Sequence, residues 1–155
     1  MTDQLRPAPD DRTPAELLAF GVVNLDKPAG PSAHQVAGWV RDLTHDAIAD
    51  LAAPAEHDEA STTLTPPTID RAAHAGTLDP KVTGCLPMLL GDATRMAQVF
   101  LAGRKEYVAA LELHAPRPAD FAAVLSRFEG PLYQKPPKKS AVRRTLRVRE
   151  IYALE

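Results

Sequence analysis

The chain has 155 residues, 45% hydrophobic and 25% charged, with a net charge of −2, which is typical of one globular domain or a large piece of one. The single cysteine, Cys85, excludes an internal disulfide, and its place in an apolar run predicts packing instead of redox chemistry. The five histidines lack Cys-x-x-Cys or His-x₃-His spacing, so no metal site is predicted. No apolar run approaches the ~20 residues of a membrane span, and we expect a protein of the cytoplasm or an equivalent compartment.

Charge is distributed unevenly along the chain. Residues 1–70 carry 4 Lys and Arg against 12 Asp and Glu, whereas residues 71–155 carry 14 against 8. The second half therefore has the charge of a polyanion-binding surface, although a solvated face gives the same pattern.

The N-terminal segment has signals for a tail and one helix. Residues 1–12 are rich in Pro and Asp, which predicts a mobile tail. The sequence Thr-Pro-Ala-Glu at residues 13–16 has the N-cap, the N1 proline and the N3 glutamate of a capping box. Residues 1–19 are therefore assigned to a tail and a short helix.

A strand and a rigid turn follow. The β-branched residues of segment 20–25 predict the strand, and Pro28 and Gly30 fix the turn at residues 26–30. Lys27 in this turn either reaches a phosphate or braces the structure, and the rigidity of the turn favours the brace.

A longer helix is predicted over residues 33–43, because Ser32 and Gln35 form a second capping box. Its buried face is predicted to hold the apolar residues Val36, Trp39, Val40 and Leu43. Residues 45–70 contain no Lys or Arg and are dominated by Ala, Pro, Thr and acids, which predicts an exposed loop, either inserted or disordered.

Residues 74–84 read His-Ala-Gly-Thr-Leu-Asp-Pro-Lys-Val-Thr-Gly and set one carboxylate, Asp79, among turn formers and hydroxyls. Gly76 permits unusual backbone angles, and Pro80 biases Asp79 away from the α region. Asp-Pro is also an ordinary turn dipeptide. The apolar run at residues 85–90, however, predicts a buried strand next to Asp79. A carboxylate beside a buried element is expected either to have hydrogen-bond partners or to serve a function.

The remaining chain mixes helices and strands without a regular βαβ repeat. Helices are predicted from residue 92 or 94 to 102 and over residues 118–128. Their apolar faces are Met96, Val99 and Phe100 in the first, and Phe121, Val124, Leu125 and Phe128 in the second. Strands are predicted over residues 107–114 and 146–154. The class is α+β, with a mixed, mostly antiparallel sheet and flanking helices.

Four blocks resemble one known family, in that family's order. Residues 74–84 resemble the active-site motif of the TruB and dyskerin pseudouridine synthases. Residues 25–32 resemble the family's Lys-Pro-x-Gly signature, residues 105–108 its tyrosine-bearing strand, and residues 133–143 a third conserved block. The continuation at residues 146–152 is similar to the archaeal and eukaryotic dyskerin branch, which works with H/ACA guide RNAs.

The resemblance implies roles for individual residues. Asp79 is then the catalytic nucleophile, and Tyr107 packs on the flipped base, with no cofactor. His74, Gly76 and Thr77 are expected to contact the RNA. Structural support for the loop is expected from Lys27, Pro28 and Gly30, because their turn is rigid.

The resemblance further implies that residues 20–155 are the N-terminal portion of the pseudouridine synthase catalytic domain. What would be missing is the rest of that domain, with an arginine that pairs with the aspartate, and a PUA domain, so we expect the isolated chain to be inactive. The implied partners are RNA (tRNA, rRNA or both), an H/ACA guide RNA and small protein subunits of an H/ACA complex, without a membrane. In a eukaryote the implied location is the nucleolus.

Seven basic residues lie between positions 135 and 149. Four of them are predicted to contact RNA: Lys135, Lys138, Lys139 and Arg143. Pro136 and Pro137 stiffen the run into an extended form, and its charge density suits phosphate contacts. A solvated face is the alternative.

Two other functions fit parts of the pattern. Residues 79–84 faintly resemble the Asp-Lys-Thr-Gly motif of enzymes that form a phospho-aspartate, but two residues interrupt it, and the nearby Gly91-Asp92 follows too closely to form a separate magnesium loop. An RNA-binding module without catalysis would need only the basic run. The sequence favours RNA isomerisation over both.

Overall fold

The computed structural model describes residues 8–52, 69–138 and 143–155. The chain divides into two compact units, Met1–Lys105 and Glu106–Glu155. The N-terminal unit contains a three-stranded sheet and the C-terminal unit a two-stranded sheet, and both are antiparallel. Helices accompany each sheet, so the predicted α+β class is confirmed.

A central strand organises the sheet of the N-terminal unit. Strand β3 (Gly84–Leu90) lies between β1 (Val22–Lys27) and β2 (Ala72–His74) and pairs with both. The prediction of a buried strand over residues 85–90 is confirmed. Its fully buried side chains are Leu86, Met88, Leu89 and Leu90. The predicted strand over residues 20–25 lies two residues further along the chain, and the following turn begins at Pro28.

Pro87 in the middle of β3 determines where β2 ends. The Ala75 amide donates to the Pro87 carbonyl at 2.8 Å, one position beyond the last β2–β3 pair, His74 with Met88. Proline has no N–H, so it cannot return the second hydrogen bond of an antiparallel pair. The ladder therefore stops at Ala75, and the chain leaves the sheet there.

Helix α1 (Pro14–Ala19) begins with the predicted capping box. The Thr13 amide donates to Glu16 Oε2 at 2.8 Å, and the Glu16 amide donates to Thr13 Oγ1 at 3.3 Å. Hydrogen bonds from the Thr13 amide and then from its hydroxyl lower the pKa of the Glu16 carboxyl. Of the predicted tail, residues 1–7 lie outside the described residues, and Pro9–Asp11 form a short 3-10 helix.

Helix α2 (Ala33–Ala52) continues well past the predicted end at residue 43. The predicted loop over residues 45–70 is therefore wrong for residues 45–52, and residues 53–68 lie outside the described residues. Ile48 is only 4% exposed. Burial of this side chain, in a segment with several alanines, stabilises the added turns although they contain no Lys or Arg.

The buried face of α2 differs from the predicted face. Its capping box is confirmed: the Ser32 amide donates to Gln35 Oε1 at 2.9 Å, and the Gln35 amide donates to Ser32 Oγ at 3.2 Å. Small side chains carry the contact with the sheet, and the core residues of this helix are Ala33, Val36 and Ala37, with Val40 packed beside them. Trp39 is 56% exposed and Leu43 is 68% exposed, so the prediction is wrong for both. The helix face that contains Ala33 and Ala37 packs on the sheet, so Trp39 and Leu43 lie outside this face.

The segment after β3 begins as a 3-10 helix (Gly91–Met96) and continues as α3 (Ala97–Leu101). A helix is therefore confirmed here, but the predicted side-chain N-cap does not form, and the Thr94 hydroxyl donates to a main-chain carbonyl of the turn at 2.7 Å. Phe100 packs against a second core cluster, which is formed by Ala75, Leu89 and Ala93. Val99 is 69% exposed, contrary to the predicted face.

Cys85 is exposed, so the prediction that it packs in the core is wrong. Successive side chains of a strand point to opposite faces. Leu86 and Met88 enter the core cluster shared with α2, whereas Cys85 lies on the other face and its thiol donates to Asn24 Oδ1 at 2.9 Å.

The C-terminal unit contains α4 (Phe121–Ser126) and an antiparallel pair formed by β4 (Gly130–Gln134) and β5 (Arg147–Ile151). Both α4 and β5 are shorter than predicted, and β4 has no counterpart among the predicted elements. Phe128 lies beyond the helix and is 52% exposed, so it does not share the predicted face. Among the described helices of the whole chain, none combines the length and the apolar content needed to cross a bilayer.

The predicted strand over residues 107–114 is wrong. The structure contains neither helix nor strand there, and the side chains of residues 104–113 are exposed, Val108 completely. A β-branched and aromatic sequence forms a strand only when a neighbouring strand accepts its hydrogen bonds. The described part of the C-terminal unit provides no such neighbour for this segment.

The contact between α1 and the 3-10 helix Gly91–Met96 depends on Gly91. Its φ is +54°, and a Cβ there would overlap the Ala19 carbonyl oxygen. We expect Gly91→Ala to lower the free energy of unfolding by about 2–4 kcal/mol, because backbone strain and overpacking act together. Urea unfolding, followed by the fluorescence of the single tryptophan, measures the change.

Gly38→Ala is the matched control, because Gly38 lies within α2 and a Cβ there meets nothing within 4 Å. Helix propensity predicts a gain of about 0.5–1 kcal/mol for this variant. Equal effects of the two substitutions would contradict the close approach of Ala19 to Gly91.

Candidate active site: the Asp79 loop

The Asp79 loop, residues 75–83, connects β2 to β3 and is anchored on both sides of Asp79. Leu78 is 8% exposed and belongs to the core cluster under α2, and Val82 packs against the same cluster. Between them the Val82 amide donates to the Asp79 carbonyl at 2.9 Å and closes a turn. Asp79 itself is exposed. The apolar anchors therefore hold the backbone while the carboxylate faces outward.

Lys27, at the end of β1, connects the N-terminal strand to this loop. The residue is 1% exposed. Its ammonium donates to the carbonyls of Val82 at 2.8 Å, Pro28 at 2.9 Å, Asp79 at 3.3 Å and Pro80 at 3.4 Å. A buried ammonium must be satisfied by acceptors, and here four main-chain oxygens from two segments share it. Lys27 thereby fixes the position of the Asp79 backbone.

The turn after β1 docks onto the same loop. The Gly30 amide donates to the Pro80 carbonyl at 2.8 Å. Gly30 has φ +121°, and Gly84, where the loop rejoins β3, has φ +120°. Residues with a Cβ rarely adopt this backbone region. Glycine at both positions lets the two segments meet at the Lys27 ammonium.

The Asp79 carboxylate has no hydrogen-bond partner among residues 8–52, 69–138 and 143–155. In particular, the amides of Gly76 and Thr77 do not donate to it. Gly76 is buried, and a Cβ there would lie 3.8 Å from Leu86 Cδ1, whereas Thr77 is exposed. The carboxylate is accessible to a ligand.

His74 lies on β2, directly before the loop. It pairs with Met88 of the central strand. Its Nδ1 is buried, and in the described part of the chain no group hydrogen-bonds to this atom. The role of His74 in RNA contact stays a prediction.

The predicted site residues fall into the two units. The N-terminal unit brings together those around the aspartate: Lys27, Pro28, Gly30, His74, Gly76, Thr77 and Asp79. Tyr107 and the basic run belong to the C-terminal unit. Tyr107 is 60% exposed on the segment without secondary structure, so its ring is open to solvent.

The basic run begins directly after β4 and ends within β5, which contains Arg147 and Arg149. Lys135, Lys138 and Arg143 are exposed, and Lys139 lies outside the described residues. Arg144 Nε donates to the Pro136 carbonyl at 3.2 Å and so joins the two sides of the connection between β4 and β5.

Sequence reasoning missed the residues that hold these two regions in shape. Leu78 and Val82 did not stand out in the sequence, because they lie among turn-forming residues. Apolar residues on both sides of an exposed Asp could, however, have predicted a loop anchored in the core. The sequence does not predict the hydrogen bond between Arg144 and Pro136, because every residue type has a main-chain carbonyl that can accept.

No group of three or more His, Cys, Asp and Glu side chains in the described ranges is arranged to hold a metal ion.

The family model for the "TruB family pseudouridylate synthase (N terminal domain)" matches residues 65–154. The chain belongs to the TruB family. A second model, the DKCLD (NUC011) domain, matches residues 7–37. In this TruB-family chain the first match contains Asp79 and the second contains Lys27, so the contact between the two residues joins both matched regions.

Two curated relatives bear the name "Probable tRNA pseudouridine synthase B". The protein from Haloarcula marismortui is 55% identical over 151 residues, which cover 97% of this chain and 41% of the relative. The protein from Pyrococcus abyssi is 41% identical over 149 residues, which cover 95% of this chain and 38% of the relative. The TruB-family chain thus spans about two fifths of the length of the curated relatives it matches.

Two solved structures share the fold. "Crystal Structure of a Cbf5-Nop10-Gar1 Complex" matches with a TM-score of 0.66 and 38% identity, over 97% of this chain and 41% of the other. "Structure of H/ACA RNP bound to a substrate RNA containing 2'-deoxyuridine" matches with a TM-score of 0.65 and 33% identity, over 97% and 39%. The expected pseudouridine synthase fold is therefore confirmed for this part of the TruB architecture.

We expect Lys27→Met to loosen the Asp79 loop, because the Pro28 and Val82 carbonyls lose their charged donor. The free energy of unfolding should fall by about 2–3 kcal/mol. Amide exchange should also accelerate at Gly30, whose hydrogen bond joins the two segments, and at Val82, whose hydrogen bond closes the turn of the loop. Exchange measured by NMR reports both amides separately from those of α2.

Lys81→Met is the matched control, because Lys81 lies in the same loop and is exposed. This variant should leave the free energy of unfolding and the two amides unchanged. Equal protection of Gly30 and Val82 in the Lys27→Met variant and the wild type would refute the brace.

Proposed function

We propose that the chain supplies the catalytic aspartate of an RNA pseudouridine synthase, which isomerises uridine to pseudouridine in tRNA, rRNA or both. The observation that carries this proposal is the exposed Asp79 carboxylate on a loop whose backbone is fixed by the buried Lys27 ammonium. A rigid backbone that presents an accessible carboxylate is what a positioned nucleophile requires.

The chemistry needs a nucleophile and proton transfer but no oxidant or reductant. The bond from ribose C1′ to N1 of the base breaks, a bond from C1′ to C5 forms, and the hydrogen on C5 is lost while N1 gains one. Covalent attack by the Asp79 carboxylate divides this exchange into two easier steps. An ionised, accessible carboxylate suffices, so no cofactor is required.

The target base must leave its stack before Asp79 can reach it. Extrusion costs a few kcal/mol, and stacking on a planar side chain offsets part of that cost. We assign the stacking role to Tyr107, and contacts near the flipped nucleotide to His74, Gly76 and Thr77. The exposure of the Tyr107 ring supports this assignment.

The proposed setting is an H/ACA ribonucleoprotein. Two solved structures that match this chain over 97% of its length are described as a Cbf5-Nop10-Gar1 complex and as an H/ACA RNP bound to a substrate RNA. By analogy, the partners of the whole protein are a guide RNA and small protein subunits. Base pairing with the guide would then select the uridine, and the protein would read shape and backbone.

Asp79→Asn tests the nucleophile, in a chimera that carries this chain in place of the matching segment of the Haloarcula relative. Removal of the charge at constant volume should reduce pseudouridine formation by more than about a hundredfold and leave RNA affinity nearly unchanged. Release of tritium from RNA labelled at uridine C5 measures turnover, and fluorescence anisotropy measures binding.

Asp70→Asn is the control, since Asp70 is also exposed and precedes β2; it should retain activity. Turnover of the Asp79→Asn chimera close to that of the parent would exclude Asp79 as nucleophile. If the parent chimera binds RNA but forms no pseudouridine, this chain is an RNA-binding module.

The basic run should contact phosphates. If Lys135, Lys138 and Arg143 each neutralise one, their replacement by Ala should flatten the plot of log K against log salt by ~2 to 3, at about 0.7 per contact with a single strand and 0.9 with a duplex. Phosphate contacts position the RNA and do not specify it, so affinity should fall alike for unrelated RNAs. A salt titration of RNA binding measures the slope.

Arg117→Ala and Arg127→Ala are controls, because both side chains are exposed in the same unit but lie outside the run. An unchanged slope in the triple variant would mean that the run is a solvated face. A loss confined to one RNA would mean that it reads bases.

A further inference from the structure

Two arginines of the N-terminal unit share one carboxylate. Arg71 precedes β2, and its Nη2 lies 3.6 Å from Asp92 Oδ1. Arg95 Nη2 lies 3.8 Å from the same oxygen, one turn along the 3-10 helix. All three side chains are accessible, at 60% for Arg71, 76% for Arg95 and 46% for Asp92. The cluster therefore carries a net positive charge at the surface.

The backbone holds this cluster in place. The Gly91 amide donates to the Arg71 carbonyl at 2.8 Å and extends the antiparallel register by one pair, which sets Arg71 beside the start of the 3-10 helix. Arg95 follows Asp92 at the i+3 spacing that brings side chains to one face. Both guanidinium groups are thus attached to structured elements and not to a free loop.

Arg41, in the same unit, forms a shorter ion pair with Asp42 and serves as a comparison. Arg41 donates through Nε at 2.9 Å and Nη2 at 2.7 Å to Asp42 Oδ1, so one carboxylate takes two donors of one guanidinium. The Arg71 and Arg95 contacts are longer than ordinary hydrogen bonds, and two cations face a single anion. Most N–H donors of the Arg71 and Arg95 guanidinium groups therefore remain available for a further anion.

The cluster also marks the change of charge along the chain. Arg71 is the first Lys or Arg after Arg41, and it opens the half in which basic residues exceed acidic ones. A phosphodiester suits two neighbouring guanidinium groups because its charged oxygens can accept hydrogen bonds from both. Phosphates also repeat along a nucleic-acid strand, whereas the carboxylates of an acidic peptide do not lie at one fixed spacing.

We propose that Arg71 and Arg95 form a second RNA-contact site, which binds a backbone phosphate at the end of the sheet opposite the Asp79 loop. This inference rests on the proposed function, since it assumes that the chain binds RNA. Strand β3 runs from the loop to the cluster, so about 20 Å separate the two along the strand. A short stretch of A-form RNA helix spans that distance. The site would orient the helix while the Asp79 loop receives the target nucleotide.

The test uses the 155-residue chain, a fluorescein-labelled RNA hairpin and a salt titration followed by anisotropy. Arg71→Ala and Arg95→Ala should each flatten the plot of log K against log salt by about 0.9, and the double variant by about twice that. Asp92→Asn should act in the opposite direction and strengthen binding at every salt concentration, because it removes the negative charge that faces both arginines. Arg41→Ala should change the slope little, since the Arg41 charge is already paired with Asp42.

The sign of the Asp92→Asn effect separates the proposal from a purely structural cluster. If the ion pairs only stabilise the fold, Asp92→Asn and Arg71→Ala lower the urea midpoint together and leave the slope unchanged, which overturns the proposal. If Asp92→Asn does not fold, an unchanged slope in the folded Arg95→Ala variant overturns it equally. Arg71→Lys is then the charge-conserving control and should keep the wild-type slope. Absence of RNA binding by the wild-type chain would count against the proposed function itself, whereas binding with an unaltered slope in the arginine variants would reject only this second site.

Discussion

The position of the Asp79 carboxylate depends on one buried ammonium group. Lys27 ends the first strand, and its four carbonyl acceptors come from both the turn after β1 and the Asp79 loop. A lysine in this setting has no freedom to move, because each displacement leaves a charged donor without acceptors in a site closed to water. The aspartate itself remains exposed. Rigidity therefore resides in the backbone beneath the carboxylate, and access is preserved above it.

The sheet prepares this arrangement through a residue that strands usually exclude. Pro87 lies in the central strand with its missing N–H directed at β2, and the ladder ends at the Ala75–Pro87 contact for that reason. The chain then turns away with Leu78 and Val82 as anchors in the core under α2. A proline, two apolar side chains and two glycines with positive φ thus shape one loop. The matched family region covers the whole β2–β3 connection.

Charge is organised at a larger scale than the site. The acidic front half contributes the closed Arg41–Asp42 pair, while the accessible guanidinium groups of Arg71 and Arg95 lie where the basic half begins. The basic run at residues 135–149 belongs to the C-terminal unit. Each unit therefore contains accessible basic side chains.

The sequence by itself determined the local features: both capping boxes, the buried strand after the loop, the stiff Asp-Pro turn and the family blocks all depend on neighbouring residues. It did not determine the length and phase of α2, the exposure of Cys85 or the absence of a strand at Tyr107. Those features depend on which other element lies opposite, and the energy of burial or pairing is decided only when that partner is in place. For the same reason the rigid turn indicated that Lys27 is a brace but did not identify its acceptors. Three of the four, the carbonyls of Asp79, Pro80 and Val82, lie about fifty residues away along the chain. Main-chain oxygens carry no side-chain signal, so only the tertiary structure decided these contacts.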